Sequence, residues 1–386
     1  MAVVFNRDYE GAEADPENRA REDILNVAQE VTTVLREAGY NVAEVGIRED
    51  VHRDLKTVMA HKPVAVINLC ESLRGDNRFE ALVPMLLEFE GLAFTGSPPA
   101  SLLQALHKDR AKRLLLGSGV STPAAFVIET LADVERLHPR FPLIVKPTRE
   151  DASVGIARQS VVRDRAALRE RVGHVLEHYR QPALVEEFIE GREINVSILE
   201  RVDGPPEVLP LHEIDFSGMP ADRPKIVSFE GKWVESSPEY HGTKPVPCQL
   251  PSPELQARVE KTALAAFRAL DLRDYGRVDL RLAADGTPFV IDVNPNCDLS
   301  AQGGGFSRAA RASGMTYRDL VLRLLALAMN RRPDADTIPL AIRSRRRRGD
   351  SGSQSGQEAR QQNGQPVSAG GSGVRHRAAR RRVGSA

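Results

Sequence analysis

The chain has 386 residues, 41% of them hydrophobic, and its 53 basic and 53 acidic side chains cancel to a formal charge of zero. Such a length holds two or three domains with real cores; no apolar run approaches the roughly 20 residues of a membrane helix, and the N-terminus lacks a basic, apolar, small-residue leader pattern, so a globular protein with a cytoplasmic address and no membrane partner is expected. Cys70, Cys248 and Cys297 have no paired spacing, which argues against a disulfide framework or a zinc site.

Over the first hundred residues strand and helix signals alternate. Ala2 to Phe5 is apolar, a helical stretch runs from about Arg19 to Ala38 and ends at Gly39, and apolar strands follow over 42–45 and 64–69. This βαβ alternation predicts a small parallel sheet. A helical run over 80–89 leads into GLAFTGS, and a helix around 108–116 ends near Gly117, with Thr122-Pro123 marking a boundary before a strand at 125–128.

An apolar strand at 142–145 ends in Lys146-Pro147 and is followed by TREDASVGIA, with strand character expected to resume near Ile156. A polar turn ending in small residues and Gly155 suits the folding of backbone N–H groups around phosphate oxygens, and Lys146 adds charge. It is not a Walker A loop, since the GK[ST] ending is missing. Further on, Ala183 to Val185 runs into Glu186, Glu187, Phe188 and Ile189, then Glu190-Gly191 and Glu193. A short apolar strand ending in acids and a turn could offer an adenine face and a ribose carboxylate.

The segment from Arg277 to Asn296, RVDLRLAADGTPFVIDVNPN, reads as a β-hairpin turning at Ala284-Asp285-Gly286-Thr287. Side chains alternate along a strand, so Asp292 and Asn294 point the same way and Asp279 on the partner strand can lie opposite them. A merely solvated polar face is the plain alternative. Phe289, Val290, Ile291 and Val293 mark a largely buried strand, however, where carboxylates need a partner. A hard cation held through oxygens, such as magnesium with bound phosphates, would be a suitable partner.

The charge balance is uneven along the chain: from Arg331 onward lie thirteen of the 53 basic residues, all Arg, but four of the 53 acidic ones. The body is therefore acidic and the tail basic. Beyond about Ser344 the composition is Gly, Ser, Gln and Arg with almost nothing to bury, which predicts disorder. Arg345 to Arg348 and Arg380 to Arg382 could touch a polyanion, but no aromatics are interleaved for base stacking, so a solvated tail is expected rather than a nucleic-acid partner.

A lysine-bearing phosphate loop, an acid-rich strand end and a late hairpin with Asp and acid-x-Asn, in that order, resemble the ATP-grasp fold and within it the D-alanine:D-alanine ligase family. The resemblance runs over roughly 65–328, through GLAFTGSPPASLLQALHKDRAKRLLLGSGVSTP, FPLIVKPTREDASVGIA, ALVEEFIEGREINVSIL, YGRVDLRLAADGTPFVIDVNPN and GMTYRDLVLRLLALA. It implies an α/β (α+β) chain: an N-terminal parallel-sheet domain over 1–105, then central and C-terminal ATP-grasp subdomains over 106–205 and 206–330 that sandwich ATP, and a disordered basic tail over 331–386. By the same resemblance Lys108 and Lys146 grip ATP phosphates, and Ser153 and Val154 lie in the loop covering them. Glu186, Phe188 and Ile189 match the adenine strand, Glu193 the ribose carboxylate, and Lys232 a lysine of the closing loop. Asp279, Asp292 and Asn294 match the ligands of magnesium, two ions by the resemblance with manganese as a substitute, and Asp292 stands where the family usually has Glu. Arg277 and the Gly276 N–H match the groups that stabilise the oxyanion when an amine attacks an acyl phosphate.

The departures fall on the acceptor side. The family's Ser-Tyr-Ser hydrogen-bonded triad reads Ala152, Trp233 and, approximately, Gly303 here. Alanine and glycine have no hydroxyl and tryptophan can only donate. The family's His-Gly pair reads Cys70-Glu71, and its N-terminal glutamate has no clear counterpart in RAREDIL. Gly303, Gly304 and Gly305 could expose backbone N–H groups to a substrate carboxylate in place of the missing serine, or could be a linker. The expected activity is an ATP-dependent ligase joining a carboxylate to an amine on amino-acid or peptide-like substrates. A dipeptide or secondary-metabolite peptide ligase and an inactive ATP-binding regulator are the alternatives, and a homodimer is open.

Overall fold

The computed structural model describes residues 1–7 and 16–331, without the side chains of 16–23, so nearly all of the tail expected over 331–386 lies outside the described residues. The described residues form one compact unit. Among the described residues no helix is long and apolar enough to cross a membrane.

Three sheets organise this unit. The first has β1 (Ala2–Asn6), β2 (Ala43–Ile47) and β3 (Val66–Asn68) in the order β2-β1-β3, all parallel. All five residues of β1 are buried, as a central parallel strand covered on both faces requires. The helix Pro16–Glu37 packs Val27, Val31 and Leu35 on one face of this sheet, together with Leu320, Leu324 and Leu325 from the helix Tyr317–Asn330. The late helix thus closes over the first sheet.

The second sheet is antiparallel, with β4 (Ala125–Ile128), β5 (Leu143–Pro147), β6 (Val161–Val162) and β7 (Ala183–Glu187) in the order β4-β7-β5-β6. The strand expected to resume near Ile156 does not do so. Gly155 has φ +75 and gives its carbonyl to the Arg171 guanidinium at 2.6 Å, and the Ala157 N–H donates to Ser160 Oγ at 3.0 Å. These backbone groups are committed locally, so pairing with β5 begins only at Val161.

The third sheet carries β8 (Arg192–Leu199), β9 (Glu207–Val208), β10 (His212–Asp215), β11 (Lys244–Pro247), β12 (Tyr275–Leu282) and β13 (Pro288–Asn294), ordered β11-β10-β8-β12-β13 with β9 beside β8. Although β8 precedes residue 205, its hydrogen bonds place it in the centre of this later sheet. Behind it the helix Pro253–Ala269 packs Val259, Ala263 and Phe267 against Val196, Val278 and Leu280. The hairpin is bulged: Asp279 pairs with Asp292 but Leu280 pairs with Val290, leaving Ile291 unmatched. The extra residue shifts the side-chain alternation, so that Val290 and Val293 are both buried while Asp292 and Asn294 share the opposite face.

The closest approach at a glycine among the described residues is at Gly191. Gly191 joins β7 to β8 with φ +152, and a Cβ there would stand 2.0 Å from the Leu282 carbonyl oxygen. Gly191→Ala is expected to lower the melting temperature by roughly 5 °C or more, as followed by circular dichroism; an unchanged melt would show that this turn packs differently.

Candidate active site

The bulged hairpin brings its acids together as the alternation predicts, and neighbouring strands supply their partners. Asp279 lies between Asp292 on β13 and Asn195 on β8. Its Oδ1 accepts from Arg277 Nε at 2.7 Å and Asn195 Nδ2 at 2.8 Å, and its Oδ2 from Arg277 Nη2 at 2.8 Å and Asn294 Nδ2 at 3.0 Å. Asp292 instead faces Lys108, whose ammonium is 3.2 and 3.3 Å from its two oxygens and 3.2 Å from Asp151. Burial alone would depress the Lys108 ammonium, but Asp292 and Asp151 more than offset this and hold it above the usual lysine range. Burial conversely pushes the Asp292 carboxyl up, and Lys108 with Lys146 brings it below its ordinary value.

Whether these residues suit a divalent cation follows from what they now hold. Among the described residues no group of three or more His, Cys, Asp or Glu forms a ready-made metal cluster. Asp279, Asp292 and Asn294 do present oxygen-bearing side chains on one face, and that face already draws two full positive charges, from Arg277 and Lys108. A donor set of hard oxygens with that demand for positive charge fits magnesium. Asn294 directs its amide nitrogen at Asp279, so its oxygen would face a cation only with the amide turned over.

A second charge network stitches the hairpin to the four-stranded sheet. Glu186, buried at 1% exposure, lies 2.8 Å from Lys112 and 2.8 Å from Lys146. Burial would raise its carboxyl, and the two ammonium groups bring it below the ordinary range. Lys146 also donates to the carbonyl of bulge residue Ile291 at 3.3 Å, while Lys112 donates to Thr122 Oγ1 at 2.7 Å, and that hydroxyl donates to the Val290 carbonyl at 2.7 Å. Lys112 was not singled out from the sequence, yet its spacing of four from Lys108 puts both on one helical face. Glu193 pairs with Arg281 at 2.9 Å, and burial, opposed by Arg281, lifts its carboxyl. The same guanidinium lies 5.1 Å from the Phe188 ring, and Ile189 is buried beside this strand end.

Two loops meet over the hairpin. Ala152 and Ser153 both take left-handed backbone angles, φ +53 and +64, a conformation non-glycine residues adopt at a cost. The loop is held by three bonds to the later segment: Ser153 Oγ to the Val227 carbonyl at 3.0 Å, Phe229 N–H to the Ile156 carbonyl at 2.8 Å, and Trp233 Nε1 to the Ala152 carbonyl at 2.9 Å. Two of the three residues at the triad positions, Ala152 and Trp233, therefore still join, because the indole N–H uses a backbone acceptor that needs no side chain. Lys232 stands 4.9 Å from the Trp233 ring centroid. Val154, Lys232, Trp233, Arg277 and Asn294 line one cavity together with Glu71, Glu80, Asn296 and Asp298.

Gly276 sits on β12 where a Cβ would be 2.5 Å from Leu272. The glycine run starts a helix. Gly304 precedes the helix Gly305–Ala312, its N–H donates to the Ser300 carbonyl at 3.2 Å, and a Cβ at Gly305 would lie 3.3 Å from Arg277 Nη1.

A family model described as the D-ala D-ala ligase C-terminus matches residues 127–326. Among curated proteins, the uncharacterized protein y4sG of Sinorhizobium fredii is 33% identical over 79% of this chain and 88% of its own length. D-alanine–D-alanine ligase of Geobacter sulfurreducens is 31% identical over 80% of this chain and 90% of its own, and that of Marinomonas sp. 30% identical over 79% and 90%. The crystal structure of D-alanine–D-alanine ligase from Bacillus anthracis complexed with ATP aligns with a TM-score of 0.65 over 86% of this chain and 98% of that one, at 22% identity. The expected ATP-grasp architecture is thereby borne out.

The indole contact generates a test. Trp233→Phe keeps the ring but removes the N–H to Ala152, a bond worth roughly 1 kcal/mol. Trypsin cleavage within residues 149–158 is expected to quicken several-fold with the melting temperature nearly unchanged. Unaltered cleavage would show that the other two bonds hold the loop.

Proposed function

This chain belongs to the D-alanine–D-alanine ligase family, and on that footing we propose that it joins the carboxylate of one amino acid to the amine of another at the expense of ATP. The observation that carries the reading is the convergence of Lys108 and Lys146 with the paired acids of the bulged hairpin. The γ-phosphoryl group passes to a carboxylate oxygen, leaving ADP and an acyl phosphate. The amine then attacks the carbonyl carbon, phosphate departs, and the attacking nitrogen gives up its proton. ATP is taken between the four-stranded and six-stranded sheets.

Lys108 and Lys146 take the phosphate oxygens, Ser153 and Val154 cover them, and Lys232 closes from the other side. Glu186, Phe188 and Ile189 form the adenine side, and Glu193 receives the ribose. Asp279, Asp292 and Asn294 would hold magnesium, which supplies positive charge to the phosphate oxygens during transfer. Binding is then an exchange of partners. Lys108 leaves Asp292 for phosphate, and Arg277 leaves Asp279, which frees its guanidinium, with the Gly276 N–H, for the oxyanion of amine attack.

The test is release of ADP and phosphate across a panel of D- and L-amino acids including D-alanine, with the peptide product identified by mass. Release that requires both an amino acid and magnesium is expected. ATP binding without release for any amino acid would overturn the ligase reading. Asp292→Asn keeps the size but removes a charge, and a loss on the order of 10²-fold in turnover with the fold intact is expected; wild-type turnover in that variant would remove Asp292 from the cation site.

A further inference from the structure

One carboxyl group in the cavity has no part in these roles. Glu80 follows a single 3-10 turn (Asn77–Phe79), is 9% exposed, and lines the same cavity as Trp233 and Arg277. Its Oε1 accepts from Asn296 Nδ2 at 2.9 Å; that nitrogen also donates to the Cys70 carbonyl at 3.0 Å, while Asn296 Oδ1 accepts from the Tyr275 hydroxyl at 2.9 Å. The Cys70 carbonyl can only accept, so this amide cannot turn over without losing bonds at both its ends. Tyr275 is itself 1% exposed and held edge-on against Phe306. The Glu80 carboxyl is thus aimed by contacts anchored in the core.

Its surroundings are short of positive charge. Among the described residues its hydrogen-bond partner is a neutral amide, and the charges that act on it are the acids Asp151 and Glu71. Burial first, and then those acids, lift the Glu80 carboxyl well above the ordinary glutamate range. A carboxyl that is buried, aligned and open to a substrate cavity, with no cation paired to it among the described residues, is complementary to an incoming one. The nearby walls from Leu102 and Ala105 are apolar, which suits a small apolar side chain beside that cation.

We propose that Glu80, held by Asn296 and Tyr275, receives the ammonium group of the amino acid whose carboxylate is phosphorylated, an assignment that rests on the ligase reading. The choice between the two substrates follows from proton chemistry. An ammonium gripped by a carboxylate stays protonated and has no lone pair, so it cannot be the attacking amine. The amino acid held by Glu80 is therefore the carboxyl donor, and Glu80 takes the place of the family's N-terminal glutamate, for which RAREDIL offers no clear counterpart.

The experiment measures ADP release from D-alanine and from propionate, the same acid without the amine, with hydroxylamine present to trap the acyl phosphate. Glu80→Gln keeps the shape and the acceptor for Asn296. In this variant kcat/KM for D-alanine is expected to fall on the order of 10²-fold, with propionate and the KM for ATP changed by no more than about 2-fold, so that the preference for the amine collapses. Glu80→Asp should recover part of that preference. Because the folded-state carboxyl titrates above its unfolded value, ionising it costs stability as pH rises, so Glu80→Gln should melt no lower than wild type at neutral pH. A folded Glu80→Gln protein that keeps the wild-type preference for D-alanine over propionate overturns the assignment. Wild type that binds ATP yet turns over no amino acid of the panel overturns the ligase reading, and this inference with it.

Discussion

Everything in this site depends on the need to balance buried charge. A carboxylate withdrawn from water without a counter-charge costs several kcal/mol, and four acids are withdrawn here together. Asp279 takes Arg277, Asp292 takes Lys108, Glu186 takes Lys112 and Lys146, and Glu193 takes Arg281. These cations arrive from a helix, the second sheet and the third sheet. Their pairing joins elements that the hydrophobic cores alone would leave separate, since the second-sheet core and the third-sheet core are distinct clusters.

In the function proposed above, the same pairing prepares the site for a polyanion. Lys108 and Lys146 are not free ammonium groups; each is held where it can exchange an internal carboxylate or carbonyl for a phosphate oxygen. The bulge at Ile291 serves both halves of this arrangement. It lets Val290 and Val293 both be buried behind Asp292 and Asn294, and the Ile291 carbonyl accepts from Lys146. In a regular strand residues three apart would lie on opposite faces.

Over the hairpin the loops are joined largely through backbone acceptors. Trp233 bonds to the Ala152 carbonyl and Ser153 to the Val227 carbonyl. A side-chain triad is sensitive to each of its members, whereas a backbone carbonyl is present whatever residue stands there. This is how the chain keeps two loops together without the hydroxyls that the family resemblance implies at these positions. On the wall of the same cavity, Glu80 has a neutral amide as its hydrogen-bond partner.

The parallel first sheet, the hairpin and the order of the lysines and acids were legible in the sequence, because each rests on local periodicity, turn chemistry or spacing along the chain. The resemblance carried by those motifs likewise needed no coordinates. Other features came only with the tertiary structure. Nothing local distinguishes Asn195, Arg281, Asn296 or Glu80 from ordinary polar residues, and each takes its meaning from a partner between 84 and 216 positions away. The strand expected at Ile156 failed for the same reason, since Arg171 and Ser160 claimed the backbone groups that local propensity had reserved for pairing. Sequence determined which charges the chain carries and on which elements; burial, which makes an unpaired charge costly, decided which of them meet.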